Sequence, residues 1–362
     1  NLLPATGSPV FNPLASYTNS AADTENPESR FYSATVQRER GRFLFEVGYS
    51  GSRGYRGINQ VNLNPATLTP EQAAAVRAAR SSTVIPSVAA RRVNPSFGDR
   101  TVIPATAGPG GNDVEARSVY NAVFFSAQRR LANGIQVNAS YTFSNWKSNN
   151  DASLGEGGTD GSSQRPQSMF DYESEWSVSQ FDRPHRLATS YLWAIPGPRS
   201  GILGQILGGW QVSGLTSGQS GRPFTIVTGV DSSGDGNIGS DRPNIDPAGT
   251  FEWSNSRRSF TNNGYYVVPL GTNNLPLINS LGNGNAPRNG ERGPGFWNTD
   301  MALIKRFDLP GTVRFTMRVD AFNVFNQDSY GNPVSNMNST SFGQNTNNWG
   351  RRVLQLGGKI TF

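Results

Sequence analysis

Apolar and polar residues alternate one for one over several long stretches of this chain. That is the period of a β-strand, whose successive side chains point to opposite faces. The cleanest case is 135–144, where Ile135, Val137, Ala139, Tyr141 and Phe143 interleave with Gln136, Asn138, Ser140, Thr142 and Ser144. The same alternation predicts strands from Arg30 to Glu39, across Phe43, Phe45, Val47 and Tyr49, and across Val119, Val123, Phe125 and Ala127. Further strands are predicted through Leu187, Tyr191, Trp193 and Ile195, and from Trp210 on through Phe224 and Ile226. Two more run through Trp297, Thr299, Met301, Leu303 and Phe307, and through Val313, Phe315, Met317, Val319 and Ala321. The last strand lies in 351–362, with Leu354, Leu356, Ile360 and Phe362 on one parity and Arg351, Gln355, Lys359 and Thr361 on the other. Arg40-Gly41 and Asn133-Gly134 are tight turns, the latter a strong hairpin signal. One helix is predicted, from Pro70 to Arg80, with proline at its start, Glu71-Gln72 next and then an alanine run.

The connections sort by length. Turns near 40, 133, 200 and 310 are short, whereas 54–115, 147–183, 229–294 and 327–348 are long. Every second connection therefore falls at the same end of the sheet, and that end carries all the bulk. Transmembrane barrels have this form, with short periplasmic turns and long extracellular loops. The predicted fold class is all-β: an antiparallel up-and-down transmembrane β-barrel, of which about nine or ten strands are present. Residues 1–28, rich in Pro, Asn, Ser and Ala, are expected to be irregular, and 29–362 to be barrel with long loops. Bacterial barrels usually have an even strand number, so a count of about nine leads to the expectation that the chain begins within an outer loop of an incomplete barrel. Aromatics at strand ends fit two interfacial belts, Trp193, Trp210, Phe307 and Phe362 at the periplasmic edge and Trp146, Trp297, Phe325 and Trp349 at the outer edge.

Composition narrows the classes. Hydrophobic residues make up 35% of 362 and the mean hydropathy is -0.49. No stretch approaches the roughly 20 consecutive apolar residues of a spanning helix. A barrel is not excluded, because alternation hides its apolar face. With no cysteine there is no thiol catalysis, thiolate metal site or disulfide. The chain starts at Asn1 without a signal-like segment, so an export signal is expected upstream and the sequence reads as a fragment or processed product. The net charge of +6 comes from scattered residues rather than a dense basic run, which gives no footprint for nucleic acid.

Several segments carry a family resemblance: Ser118–Ala122 through Ala127–Arg130, Phe181-Asp182-Arg183-Pro184-His185-Arg186, Gly208–Gly214, Ser220-Gly221-Arg222-Pro223-Phe224 and Asp320–Asn326. In order and spacing they resemble the C-terminal barrel of TonB-dependent outer-membrane receptors, of the Oar-like type that carries an N-terminal carboxypeptidase-regulatory-like domain. The resemblance covers roughly residues 29 to 362. It implies a barrel of about 22 strands with an N-terminal plug, sited in the bacterial outer membrane. It also implies a solute ligand, membrane lipid, the barrel assembly machinery and a TonB complex acting through the plug. No plug, TonB-interacting segment or first barrel half is present in the sequence.

Candidate chemistry is sparse, and no enzymatic activity is expected. His185, the one histidine, has no nucleophile motif with it and reads as an anchor. Asp231, Asp235 and Asn237 are spaced like a calcium loop with glycine at the sixth position, and Asp241 adds a carboxylate. Arg242, however, stands where the bidentate glutamate belongs. Apart from this weak calcium candidate, no cofactor is expected. Glu46, Asp300, Arg306, Arg314, Arg318, Asp320, Arg352 and Lys359 are expected to face the barrel lumen. Leu356, Ile360 and Phe362 are expected to form the assembly signal of the last strand. Two other functions fit the same residues: a structural or adhesive outer-membrane barrel without transport, and a secreted soluble β-protein that binds glycan.

Overall fold

The computed structural model describes residues 13–19, 25–57, 59–79, 82–102, 107–111, 113–151, 166–198, 200–236, 239–254, 257–268 and 283–362. Its frame is one antiparallel sheet in strict chain order: β1 (Glu28–Arg40), β2 (Phe43–Gly57), β3 (Ala116–Ala132), β4 (Ile135–Ser148), β5 (His185–Ala194), β6 (Trp210–Gln219), β7 (Phe296–Asp308), β8 (Arg314–Phe322) and β9 (Val353–Thr361). A two-residue strand, Ser177–Val178, pairs beside β4 as the tenth member. Up-and-down order puts every short turn at one end and the four long connections at the other, as the loop lengths require. Among the described residues the outer edges of β1 and β9 pair with nothing.

Register keeps the alternation continuous across the sheet. Val36 lies opposite Val47, Val47 opposite Phe125, Phe125 opposite Tyr141, and Tyr141 opposite Leu187. Val212, Leu303, Val319 and Leu356 continue the apolar parity through β6 to β9. This aromatic face is open: Phe45, Val47, Phe125, Phe143, Leu303 and Leu356 are all exposed. Among the described residues no second sheet covers it, so these strands do not enclose a dry centre as a sandwich does. Several glycines lie directly opposite a ring. Phe124 covers Gly48 and Tyr191 covers Gly214, so closely that a Cβ would fall 2.3 Å and 2.5 Å from the nearest ring atoms. Aromatic cover of glycine lets a sheet bend without leaving a hole.

The buried core lies in the long connections. Val61, Val114, Met169 and Tyr172 pack together and join the connections after β2 and β4. Phe224, Ile226, Phe260, Tyr266 and Ala286, with Met337 and Phe342 against them, join those after β6 and β8. The four loops thus fold over one end of the sheet as a cap with its own apolar clusters.

Helix α1 (Pro70–Ala79) forms where expected, fastened by a reciprocal capping box. The Gln72 N–H donates to Thr69 Oγ1 at 3.2 Å, and the Thr69 N–H donates to Gln72 Oε1 at 3.1 Å. Three local expectations need correction. Tyr17–Asn19, inside the stretch read as irregular, pairs in parallel with Arg100–Val102. The strand from Trp210 stops at Gln219 instead of continuing to Ile226. Gly221 there packs so closely on Gly293 that no Cβ fits, Pro223 has no N–H for the ladder, and Phe224 turns into the loop core. The connection 195–209 contains a helix, α2 (Gly201–Leu207), that periodicity over so few residues does not reveal.

Candidate functional site

The cap is held by buried charge. Glu175, from the connection after β4, is 1% exposed and receives Arg242 Nη1 from the connection after β6 at 2.8 and 3.0 Å. The Arg242 backbone N–H donates to Gln167 Oε1 and its Nε to the Ala286 carbonyl, both at 2.8 Å. Arg288 pairs with Asp151 and donates its Nε to the Glu175 carbonyl at 3.0 Å. Asp151 also accepts from Ser148 Oγ, Ser179 Oγ, Asn289 Nδ2 and the Gln180 N–H. Burial works to raise the Asp151 pKa, but Arg288 and these donors outweigh it and hold the carboxyl below its usual range.

Asp182 forms the third joint. It accepts the Trp146 N–H at 2.8 Å and pairs with Arg292 at 2.6 Å. Its neighbour Arg183 is half-buried close to Arg222 and Arg292, and desolvation first, then those two cations, lowers it to about 10. Glu291 accepts from the Tyr266 hydroxyl at 2.7 Å, and burial raises both groups. Asp151, Glu175, Asp182, Arg242, Arg288 and Arg292 thus lock the loops to one another and to the rim of the sheet. Asp182 sits in a motif quoted above for resemblance, but nothing periodic marks Glu175, Arg242 or Arg288.

Where three connections meet, Thr67, Leu68, Gln167, Phe170, Ser233 and Asp235 line an open cleft of about 270 Å³. Its hydroxyl, amide, carboxylate and phenyl groups suit a polar ligand with an apolar patch. A larger hollow, about 560 Å³, lies on the aromatic face between Phe45 and Tyr141, floored by Ala127 and Ala139. It is lined by strand residues alone and by none of the loop residues of the cap.

The aspartates of 231–241 act locally. Asp231 accepts the Gly234 N–H at 2.6 Å and the Gly236 N–H at 3.0 Å. Asp241, 1% exposed, accepts the Ser233 N–H at 2.7 Å and Ser232 Oγ at 3.1 Å through Oδ2, and among the described residues its Oδ1 has no partner. Burial, with the nearby Asp235 and Asp231, raises Asp241 to about 7. Arg91 reaches across from the connection after β2 to the Gly234 carbonyl. Asn237 lies outside the described residues. Among the described residues no group of three or more His, Cys, Asp or Glu side chains is placed to hold a metal ion. Backbone amides of Gly234 and Gly236 are the partners of Asp231 in this loop.

Glu46, Asp300, Arg306, Arg314, Arg318, Asp320 and Lys359 all fall on the face opposite the aromatic one. Glu46 accepts Gln37 Nε2 at 2.9 Å, Arg314 pairs with Asp308 at 2.8 Å, and Arg318 pairs with Asp320 at 2.7 Å. Arg352 departs from the set. It precedes β9, shares the parity of Leu354, and its N–H donates to Asn326 Oδ1 at 3.1 Å because the loop end holds it. Trp146 also departs from the outer belt. It shares the polar face with Tyr120 and packs edge-on against that ring, centroids 5.7 Å apart. Leu356, Ile360 and Phe362 lie exposed on the aromatic face of the last strand. His185 Nδ1 hydrogen-bonds the Tyr141 hydroxyl at 2.7 Å, which ties the start of β5 to β4.

Comparison with known proteins gives the family. The family described as "Outer membrane beta barrel domain" matches residues 1–355. Among solved structures, the pyoverdine receptor FpvA of Pseudomonas aeruginosa aligns at 12% identity with a TM-score of 0.41, over 93% of this chain and 27% of that one. The outer membrane transporter YddB of Escherichia coli aligns at 10% identity with a TM-score of 0.46, over 96% and 34%. The ferric citrate transporter FecA aligns at 9% identity with a TM-score of 0.39, over 92% and 31%. The chain thus spans about a third of the length of these structures. No curated protein matches it. Strand order, loop sorting and the family match agree: this chain belongs to the outer-membrane β-barrel domains, and its aromatic face is the face that meets lipid.

Proposed function

We propose that this chain supplies barrel wall and ligand-recognising outer loops to a TonB-dependent receptor of the Oar-like type, for energised uptake of a solute. The observation that carries the proposal is the cap. The connections after β4 and β6 are fastened together by buried ion pairs, those after β2 and β8 join them through apolar clusters, and a polar cleft is left between Thr67, Phe170 and Asp235. A recognition surface gains affinity when it is ordered before the ligand arrives. The sequence motifs around Asp182, Trp210 and Asn323 support the receptor type. In this mechanism the solute binds the loops and a plug, and the TonB complex then draws the plug aside. The polar face, with Arg318 and Asp320, faces the lumen and the plug. No covalent step is involved. The barrel assembly machinery is the expected partner for insertion, acting on the exposed β9.

The decisive experiment is growth or uptake on the candidate solute in cells carrying the intact receptor, with and without a working TonB complex. Loss of uptake in the second strain supports the proposal. Undiminished function there would instead assign a structural or adhesive role. The alternative of a secreted soluble β-protein is set aside by the family match.

A further inference from the structure

The short-turn end of the sheet carries a surface unlike an ordinary solvated turn. Helix α2 has no charged residue, and its four large side chains, Ile202, Leu203, Ile206 and Leu207, are 80%, 64%, 58% and 54% exposed. The turn between β7 and β8 adds Leu309, also exposed. Water-facing turns do not gather aliphatic residues in this way, so something apolar covers them.

Lys305 shows what covers them. It lies on the aromatic face of β7, on the parity of Leu303 and Phe307, where an ammonium is costly against lipid. Yet it is 2% exposed. Its Nζ donates to the Ile206 carbonyl at 3.3 Å and to the Gly208 carbonyl, and lies 5.3 Å and 4.9 Å from the Trp210 and Phe307 ring centres. Trp210 Nε1 adds a hydrogen bond to the same Ile206 carbonyl at 2.9 Å. The cation is thus spent on the unsatisfied carbonyls and negative dipole end of α2, which holds the helix against the lipid-facing side of the wall.

We propose that α2 is an interfacial anchor, lying in the periplasmic leaflet of the outer membrane with Ile202, Leu203, Ile206 and Leu207 among the acyl chains and Lys305 as its tether. The occupant is lipid rather than a periplasmic protein because the helix is tied to the face that already meets lipid and continues it without a break. Trp193 and Trp210 at the same level match the aromatic belt of a membrane interface. The proposal rests on the outer-membrane placement and not on any transport role.

The test uses the full-length receptor in nanodiscs of phosphatidylethanolamine and phosphatidylglycerol. Nitroxide labels are placed at Ile202→Cys and, as a control, at Asp308→Cys on the polar face of the next turn. Collision with oxygen is compared with collision with a water-soluble nickel chelate. The label at 202 is expected to favour oxygen several-fold over the label at 308. Equal, nickel-dominated values at both positions would overturn the proposal and leave a periplasmic protein as the alternative cover. Lys305→Gln should raise nickel access at 202, and Lys305→Arg, which keeps the donor, should restore shielding; no change with Lys305→Gln would refute the tether. If Lys305→Gln fails to assemble, the label at 202 in the otherwise unchanged receptor decides the question.

Discussion

Glu175 and Arg242 stand 67 residues apart in the chain and meet in a two-pronged ion pair at 2.8 and 3.0 Å, with side chains 1% and 4% exposed. Each comes from a different outer loop. The pair is a joint on which the cap depends, because each partner is too deeply buried to be left charged and alone.

Removing one partner is therefore predicted to open the cap. Arg242→Ala leaves the Glu175 carboxylate buried with only the Gln167 N–H at 3.0 Å and the more distant Arg288 at 3.8 Å, a loss of at most about 3–5 kcal/mol. It should expose the connection after β6 to protease in the intact receptor while β1–β9 stay protected. The double replacement Arg242→Met with Glu175→Leu removes both charges and should be milder. Equal cleavage of the single variant, the double variant and the parent would show that the pair does not hold the loops.

The two faces of β4 make the second prediction. Val137→Arg or Tyr141→Arg puts a cation on the lipid-facing side, at a cost of roughly 2–4 kcal/mol near the bilayer centre. Either change should block assembly, read as lost heat-modifiable migration on gels. Asn138→Arg and Ser140→Arg, on the polar face, should migrate as the parent does.

The third concerns pH. Burial raises the Asp241 carboxyl from 3.8 to about 7, so between those values the closed loop holds a proton that the opened loop releases. The group's contribution is full below the lower value and is lost as pH rises through the upper one. Amides of 228–236 and 239–241 should therefore exchange faster with solvent at pH 8 than at pH 5, after correction for intrinsic rates. Asp241→Asn should flatten that difference. A slope unaltered by the substitution would assign it to another group, Asp231 being the nearest with a raised pKa.

The fourth separates structure from metal. Asp231 accepts two backbone N–H groups, so Asp231→Ala should loosen 231–236 equally in calcium and in chelator. Calorimetry showing calcium uptake that Asp231→Ala and Asp235→Ala abolish would instead support the calcium loop.

Much of the frame was legible from the residues. Ile135 to Ser144 alternate so regularly that a one-residue slip would move Tyr141 and Phe143 to the polar side, and the observed register keeps every such face intact. The end of β6 was less legible, because Phe224 and Ile226 keep strand parity while their environment is a loop core. Arg352 was misplaced because its charge outweighed its parity, which it shares with Leu354 and Leu356 on the aromatic face. Trp146 was misplaced because its character as an aromatic outweighed its parity.

The strands, their faces and the end at which the long loops gather follow from residues adjacent in the chain: a period of two and the spacing of turns. That Arg242 finds Glu175, that Arg288 finds Asp151 across 137 residues, and that Lys305 turns to the carbonyls of α2 emerges only in three dimensions. Those contacts have no period. Each exists because a buried charge must find its partner, and which partners come within reach is fixed only after the chain has closed its loops over the sheet.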